Sequence, residues 1–408
     1  MLRRIDTASL RIGMFVHAFC GAWTDNPFWR SSFKIDTEKE LRQARASSVR
    51  ELWIDLSKGL DVDQTVPFVG AMIKPATNTN AMPRTLPDVP LPMGATFYEE
   101  IARAAKVCAK GMSAVSTMFQ EARMGKALDT GQALQLVEEI SASIMRNADA
   151  LISLARLKNK DDYTYMHSVA VCALMIALAR QLKLSDTQTR DAGMAGLLHD
   201  IGKMMIPPAI LNKPGKLTDA EFLTVKDHPM QGYKMLMAAT GISDAALEVC
   251  LHHHEKIDGS GYPHQLAGDQ ISLFARMGAV CDVYDAITSN RAYKAGWEAS
   301  DSIRRMTQWS GTHFDPEIFA AFVKCIGIYP TGTLVKLKSD RLGVVVEQSA
   351  ISLLTPKVKV FFSIKAGAYI TPEILDFSKI GGRDKILGTE DAGKWGFKNL
   401  NALWLDGA

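Results

Sequence analysis

The chain has 408 residues, of which 47% are hydrophobic and 22% charged, with a formal net charge of +3. That length exceeds one ordinary core, so two or three domains are expected. The near-balanced charge excludes bulk attraction to a nucleic-acid polymer or an anionic membrane, and any anionic partner has to be held by a local site. The six cysteines, Cys20, Cys108, Cys172, Cys250, Cys281 and Cys325, form no CxxC pair, which fits buried thiols in a reducing compartment. The opening MLRRIDTASLRIGMFV has no sustained apolar segment and no small-residue cleavage site. The most apolar internal stretch, residues 169–179, is too short to span a bilayer and reads as a buried helix. A cytoplasmic protein without a membrane span is expected.

In chain order, residues 8–18 and 50–55 read as short strands, with a polar, helix-compatible stretch at 36–47 between them. Residues 1–74 are thus a small α+β domain. The segment 75–95 carries prolines at 75, 83, 87, 90 and 92, which remove backbone donors and predict an extended linker. From residue 96 apolar residues recur at three- and four-residue spacing, and Asp129 or Thr130 is placed to cap a second helix. This helical connector, 96–158, leads into a larger helical domain at 159–326, broken by Gly/Pro turns near 207–216 and 258–269. TLVKLKSDRLGVVVEQ and PKVKVFFSI alternate like strands, so 327–408 is expected to be a β-rich tail. The fold class is mainly α.

Seven of the nine histidines lie between His167 and His264. The informative cluster is His167, His199-Asp200, His228, His253-His254 and Asp282. Imidazole and carboxylate are the ligands of a hydrolytic site for divalent iron, manganese or zinc, and no thiolate motif nearby suggests a structural zinc. His199-Asp200 follows the apolar run AGMAGLL, and Asp282 also sits in an apolar helical run. An ionisable group in such a place is costly unless something satisfies it, and a cation does so. Any one of these histidines alone reads better as a hydrogen-bonded core residue; the set, drawn from separate helices, does not.

HDIGK (199–203), HHE with DGSGYP (253–255 and 258–263) and DVYDAITSNRAYK (282–294) resemble, in order and spacing, the signature of the HD-GYP family of cyclic di-GMP phosphodiesterases. The likeness spans about residues 163–306, and ILNKPGKLTDAEF and the DHP at 227–229 resemble its connecting pieces. LRIGMFV, WTDNPF and WIDLSKG resemble the uncharacterised domain that often precedes HD-GYP domains. The resemblance implies an all-helical HD-superfamily catalytic domain with His167, His199, Asp200 and Asp282 around one metal. It implies His228, His253 and His254 around a second, with Asp200 bridging. Iron or manganese is expected, two ions lowering the pKa of a bridging water that attacks a clamped phosphodiester. Asp200 and Lys203 are the expected catalytic residues. Lys203, Arg291 and Lys294 occupy positions that bind substrate phosphate, and Gly261, Tyr262 and Pro263 form a loop beside the substrate. Some members add a third metal through a glutamate four residues before the first histidine; Tyr163 stands there, so two metals and the product pGpG ahead of GMP are implied.

Adjacent residues in a helix point about 100° apart, so His252 is expected beside the ligands or at the surface rather than among them. Glu255 and Asp258 read equally as acids or bases and as residues that hold ligands and turn in place. His264 and His313 read as ordinary surface or core residues, and His17 lies in the other domain. Lys203 would alone be a solvated lysine, and the plain alternative for Lys294 is an ion pair with Glu298 four residues on; the phosphate roles are the stronger readings. The methionines read as core filling. The alternative to catalysis is a cyclic di-GMP sensor or interaction module of the same fold, with the GYP loop engaging diguanylate cyclase (GGDEF) domains. A nucleotide phosphohydrolase of another HD type is disfavoured by the second histidine pair and by RAYK. The helices at 96–158 suit a homodimer and an internal bundle equally.

Overall fold

The computed structural model describes residues 2–20, 33–45, 50–60, 95–126, 128–157, 163–213, 215–289, 296–349, 352–380, 383–397 and 399–405. It divides into two compact units, Met1–Met93 and Gly94–Ala408. The linker expected at 75–95 lies, up to residue 94, outside the described residues.

In the first unit β1 (Leu2–Asp6), β2 (Phe15–Cys20), β3 (Phe33–Lys34) and β4 (Glu51–Asp55) form an antiparallel sheet in the order β1-β4-β2-β3, with α1 at Glu38–Arg45. Alternation along β4 buries Leu52 and Ile54, and α1 adds Leu41 and Ala44 to the same core as Ile5, Met14 and Val16. The expected strand at 8–18 begins only at Phe15. Residues 7–9 are a 3-10 turn and Gly13, at φ 93°, reverses the chain, so the apolar Leu10 and Met14 are buried by a turn, not by a pleat.

In the second unit α2 (Phe97–Arg123) opens on a capping box from Thr96 and Glu99. The side chain of Asp129 caps α3 (Thr130–Arg156) by accepting from the N–H groups of Gly131 and Gln132. Helix α4 (Tyr163–Gln181) is buried from Met166 to Ala179 and is the central element, packed by α2, α3, and α5 (Asp186–Leu198). The chain continues through α6 (Pro208–Leu211), α7 (Asp219–Lys226), α8 (His228–Met237), α9 (Asp244–His252), α10 (Leu273–Thr288), α11 (Ala299–Gln308) and α12 (Pro316–Ile326). None of the described helices is long and apolar enough to cross a membrane.

The tail is an antiparallel sheet in the order β8-β7-β6-β5-β9, built from β5 (Leu334–Leu337), β6 (Arg341–Glu347), β7 (Lys357–Ser363), β8 (Ala368–Asp376) and β9 (Ile386–Thr389). Val335, Leu337, Val345, Val358, Val360 and Phe377 form its core, and Trp404 on α13 (Ala402–Leu405) is buried. The amide of Gln348 donates to Asp149 at 3.1 Å and Arg156 donates to the carbonyl of Thr331 at 2.5 Å, which ties this sheet to α3.

Candidate metal centre

The residues that converge come from helix ends and one helix centre. His167 lies in the second turn of α4, and His199-Asp200 follow the C-terminus of α5. His228 begins α8, His253-His254 close α9, and Asp282 lies within α10. Side chains at a helix end project beyond the last turn, so α5, buried from Ala192 to Leu198, and α9, buried from Val249 to His252, present these ligand groups where they run out of the core. Close approach matters here. A side chain at Gly202, just after the His-Asp pair, would lie 1.9 Å from the carbonyl oxygen of His228 and 2.5 Å from the nitrogen of Gly232. Only glycine lets this turn seat against α8.

Asp200 divides two sets of histidines. Its Oδ2 lies 3.4 Å from His167 Nε2 and 3.3 Å from His199 Nε2, while Oδ1 lies 3.3 Å from His228 Nε2 and 3.8 Å from His253 Nε2. Asp282 Oδ1 faces His167 Nε2 at 3.0 Å and His199 Nε2 at 3.8 Å, and its Oδ2 lies 3.9 Å from His254 Nδ1. Apart from His254, which is partly exposed, these groups are buried.

The outward nitrogens decide what the inward ones can do. Nδ1 of His199 donates to the carbonyl of Gly196 (2.8 Å), that of His228 to Val225 (2.7 Å) and that of His253 to Val249 (2.9 Å). A carbonyl only accepts, so in these rings Nδ1 carries a proton, and in the neutral ring that a cation would meet it is Nε2 that presents the lone pair. His167 Nδ1 is held at 2.6 Å by Asp285, one turn beyond Asp282 on α10. The cluster therefore gathers imidazole lone pairs and carboxylate oxygens with few donors among them. Nε2 of His199 and Oδ1 of Asp200 have no hydrogen-bond partner among the described residues. His167, His199 and Asp282, and separately His228, His253 and His254, bring ligand atoms within 4.8 Å of one another. This donor set fits divalent cations.

The electrostatics describe the same need. Burial opposes charge on His199, yet Asp200 and Asp282 outweigh it and hold the imidazole up at about 10. On the other side, burial and the neighbouring His199 and His228 push His253 down to about 3. Despite their burial, Asp200 is held well below the usual carboxylate range by Lys203 and His199, and Asp282 by His167 and His199.

A cavity of about 630 Å³ opens beside the cluster, in the size range of small-molecule sites. His167, Lys203, His228, His254, Tyr262 and Asp282 are among its walls. Lys203 is paired to Asp200. Tyr262 stacks on His254 at 4.7 Å, and Lys226 lies over the Tyr262 ring at 5.1 Å. Gly261 and Pro263 do not line the cavity; Gly261 is pressed against the backbone of Glu255, 2.5 Å from where its side chain would begin, and the Tyr262–Pro263 peptide is cis. Arg291 and Lys294 lie outside the described residues, as does the side chain of Tyr163.

Of the open readings, the structure places Glu255 as a clamp on the loop. Its carboxylate accepts from the amides of His264 (2.7 Å) and Leu266 (3.1 Å). Asp258 is exposed and accepts from the Ser260 amide, ordering the turn. His252 points away from the cluster, between Glu248 at 3.1 Å and His264 at 3.0 Å. Three residues were missed. Asp285 was signalled by its i,i+3 spacing from Asp282. His313, read as ordinary, lines the cavity, and burial together with Lys256 lowers its imidazole to about 4. Lys256 lines it too, two residues after the histidine pair.

An HD domain model matches residues 123–318, and the Domain of unknown function DUF3391 matches residues 2–133. The chain is 55% identical over 405 residues, 99% of its length and 96% of the relative's, to the cyclic di-GMP phosphodiesterase PA4108 of Pseudomonas aeruginosa. It is 38% identical over 200 residues, 47% of this chain and 53% of the relative, to the cyclic di-GMP phosphodiesterase response regulator RpfG of Xanthomonas campestris pv. campestris. It is also 38% identical over 171 residues, 42% of this chain and 37% of the relative, to the 3'3'-cGAMP-specific phosphodiesterase 3 of Vibrio cholerae. With DUF3391 before an HD domain, and with likeness to PA4108 along nearly the whole chain, this protein belongs to the HD-GYP family.

Proposed function

We propose that the protein is a metal-dependent phosphodiesterase that opens the ring of cyclic di-GMP to linear pGpG, with GMP as the product of a second cleavage. The observation that carries this is the division of Asp200, whose two oxygens face two separate histidine sets at the wall of one cavity. The 55% identity to PA4108 along both chains supports the substrate.

In this reading His167, His199 and Asp282 would hold one divalent ion and His228, His253 and His254 a second, with Asp200 facing both sets. Iron or manganese suits these nitrogen and oxygen donors. Bound there, such ions supply an activated water and neutralise charge on the phosphodiester. The chain's own groups do the rest. Asp285 fixes the ring of His167, and the carbonyls of Gly196, Val225 and Val249 fix the tautomers of His199, His228 and His253. Lys203 contributes positive charge to a non-bridging phosphate oxygen. Arg291 and Lys294 are proposed to neutralise substrate phosphate as well, Arg291 as a planar fork. Tyr262, braced by His254 and Lys226, forms an apolar wall against the substrate, and Gly261 and Pro263 set its position. Engagement of GGDEF domains by the GYP loop belongs to the same proposal and rests on the resemblance; a cytoplasmic location rests on the scattered cysteines and the short apolar stretches, and a homodimer on the amphipathic helices at 96–158.

The test is hydrolysis of cyclic di-GMP by the purified protein, with metal content measured on the same sample and Mn²⁺ or Fe²⁺ resupplied anaerobically. The expected result is pGpG ahead of GMP with about two metals per chain. A fully metallated protein that binds the dinucleotide without turnover would instead be a sensor. Absence of binding would overturn the substrate.

A further inference from the structure

Three lysines that line the cavity have different commitments. Lys203 is held by Asp200, and Lys213 by both oxygens of Glu221 at 2.8 and 2.6 Å. Lys256 has no carboxylate at ion-pair distance among the described residues. It rises from a backbone that is fixed on both sides. Glu255 clamps the loop that follows, and the amides of Ile257 and Asp258 donate to the carbonyls of His313 (3.2 Å) and Thr312 (3.0 Å). Lys256 and His313 are thereby brought to the same cavity by a backbone pairing between distant segments.

A cyclic dinucleotide carries two phosphodiester groups on opposite sides of its ring. While one lies at the histidine–aspartate centre, the other brings a negative charge to a different part of the cavity. An anion that leaves water without a counter-charge is costly, and a half-buried ammonium offsets that cost. We propose that Lys256, with His313 beside it, binds the non-scissile phosphate of the cyclic dinucleotide, so that this wall selects two-phosphate rings over single phosphodiesters. The inference rests on the phosphodiesterase reading of the same cavity. His313 offers a neutral imidazole N–H at neutral pH and leaves the formal charge to the lysine.

The experiment compares cyclic di-GMP with bis(p-nitrophenyl) phosphate, which has one phosphodiester, on the manganese-loaded full chain. In Lys256→Ala the ratio of kcat/KM for cyclic di-GMP over the nitrophenyl ester is expected to fall about tenfold or more, mainly through KM, as for a lost charge-assisted hydrogen bond. Lys256→Arg keeps the charge and is expected to recover most of that ratio, a rescue that a packing role would not show. His313→Asn is expected to lower the same ratio by less. A ratio within about twofold of wild type, or a parallel fall on both substrates, overturns the assignment. Failure of the cyclic di-GMP reading has a different signature, in which the wild-type protein cleaves the nitrophenyl ester and leaves cyclic di-GMP intact.

Discussion

Two buried polar clusters in the helical unit are built with opposite hydrogen-bond balance. Between α2 and α3, Glu100 is fully buried and accepts from Arg146 Nε at 2.7 Å, Arg146 Nη2 at 2.8 Å and Ser143 Oγ at 2.8 Å. Both of its oxygens meet donors that the chain itself supplies. Around Asp200, carboxylate oxygens and imidazole nitrogens face one another, and two of the buried atoms have no hydrogen-bond partner among the described residues. The first cluster is complete as an ion pair; the second is complete only with cations or protons. Burial and charge do not distinguish them. The count of donors against acceptors does.

The largest expected effect comes from Asp200→Ala, which removes the group shared by both histidine sets. Bound metal, read by elemental analysis, should be lost, and turnover should fall by about a thousandfold or more. Full metal and full turnover in this variant would erase the distinction between the clusters. Glu100→Ala should do the reverse. It strands Arg146 and should cost about 2–4 kcal/mol in urea unfolding, with metal per chain as in wild type. Loss of metal there would show that the two clusters are coupled through α3 and α4.

Asp285→Asn sharpens the comparison by loosening the orientation of one ligand. Metal affinity measured against a chelator should drop about 10- to 100-fold while the fold is kept. An affinity equal to wild type would mean that the ring of His167 is set by packing. The smallest effect, taken per pH unit, is in pH. The imidazole of His199, held up at about 10, keeps its proton at neutral pH in the metal-free protein, and a divalent ion has to displace it. Affinity should therefore rise with pH, by up to about tenfold per unit between pH 6.5 and 9, with about one proton released on binding. Calorimetry in buffers of different ionisation heat measures that release, and a pH-independent affinity would mean a neutral His199.

By itself the sequence determined the class of the fold and pointed to the histidines and aspartates that the structure brings together. Apolar spacing marks α2–α4, Asp129 caps α3, and the HD pair stands where a buried helix runs out, because these are local consequences of a 3.6-residue period and of unsatisfied helix ends. Strand β1 escaped, since LRRID buries only Ile5 and exposes the adjacent Arg3 and Arg4 on a short edge, and the apolar residues of 8–14 imitated a strand while forming a buried turn. Only the tertiary structure decided that the two oxygens of Asp200 serve different histidines, that Glu255 grips the loop instead of acting on a substrate, and that Lys256 and His313 share a wall. Each of those outcomes depends on which helix ends meet and on where a backbone pairing joins segments distant in the chain. Periodicity reports which face of an element is buried, and it carries no information about the direction from which another element arrives.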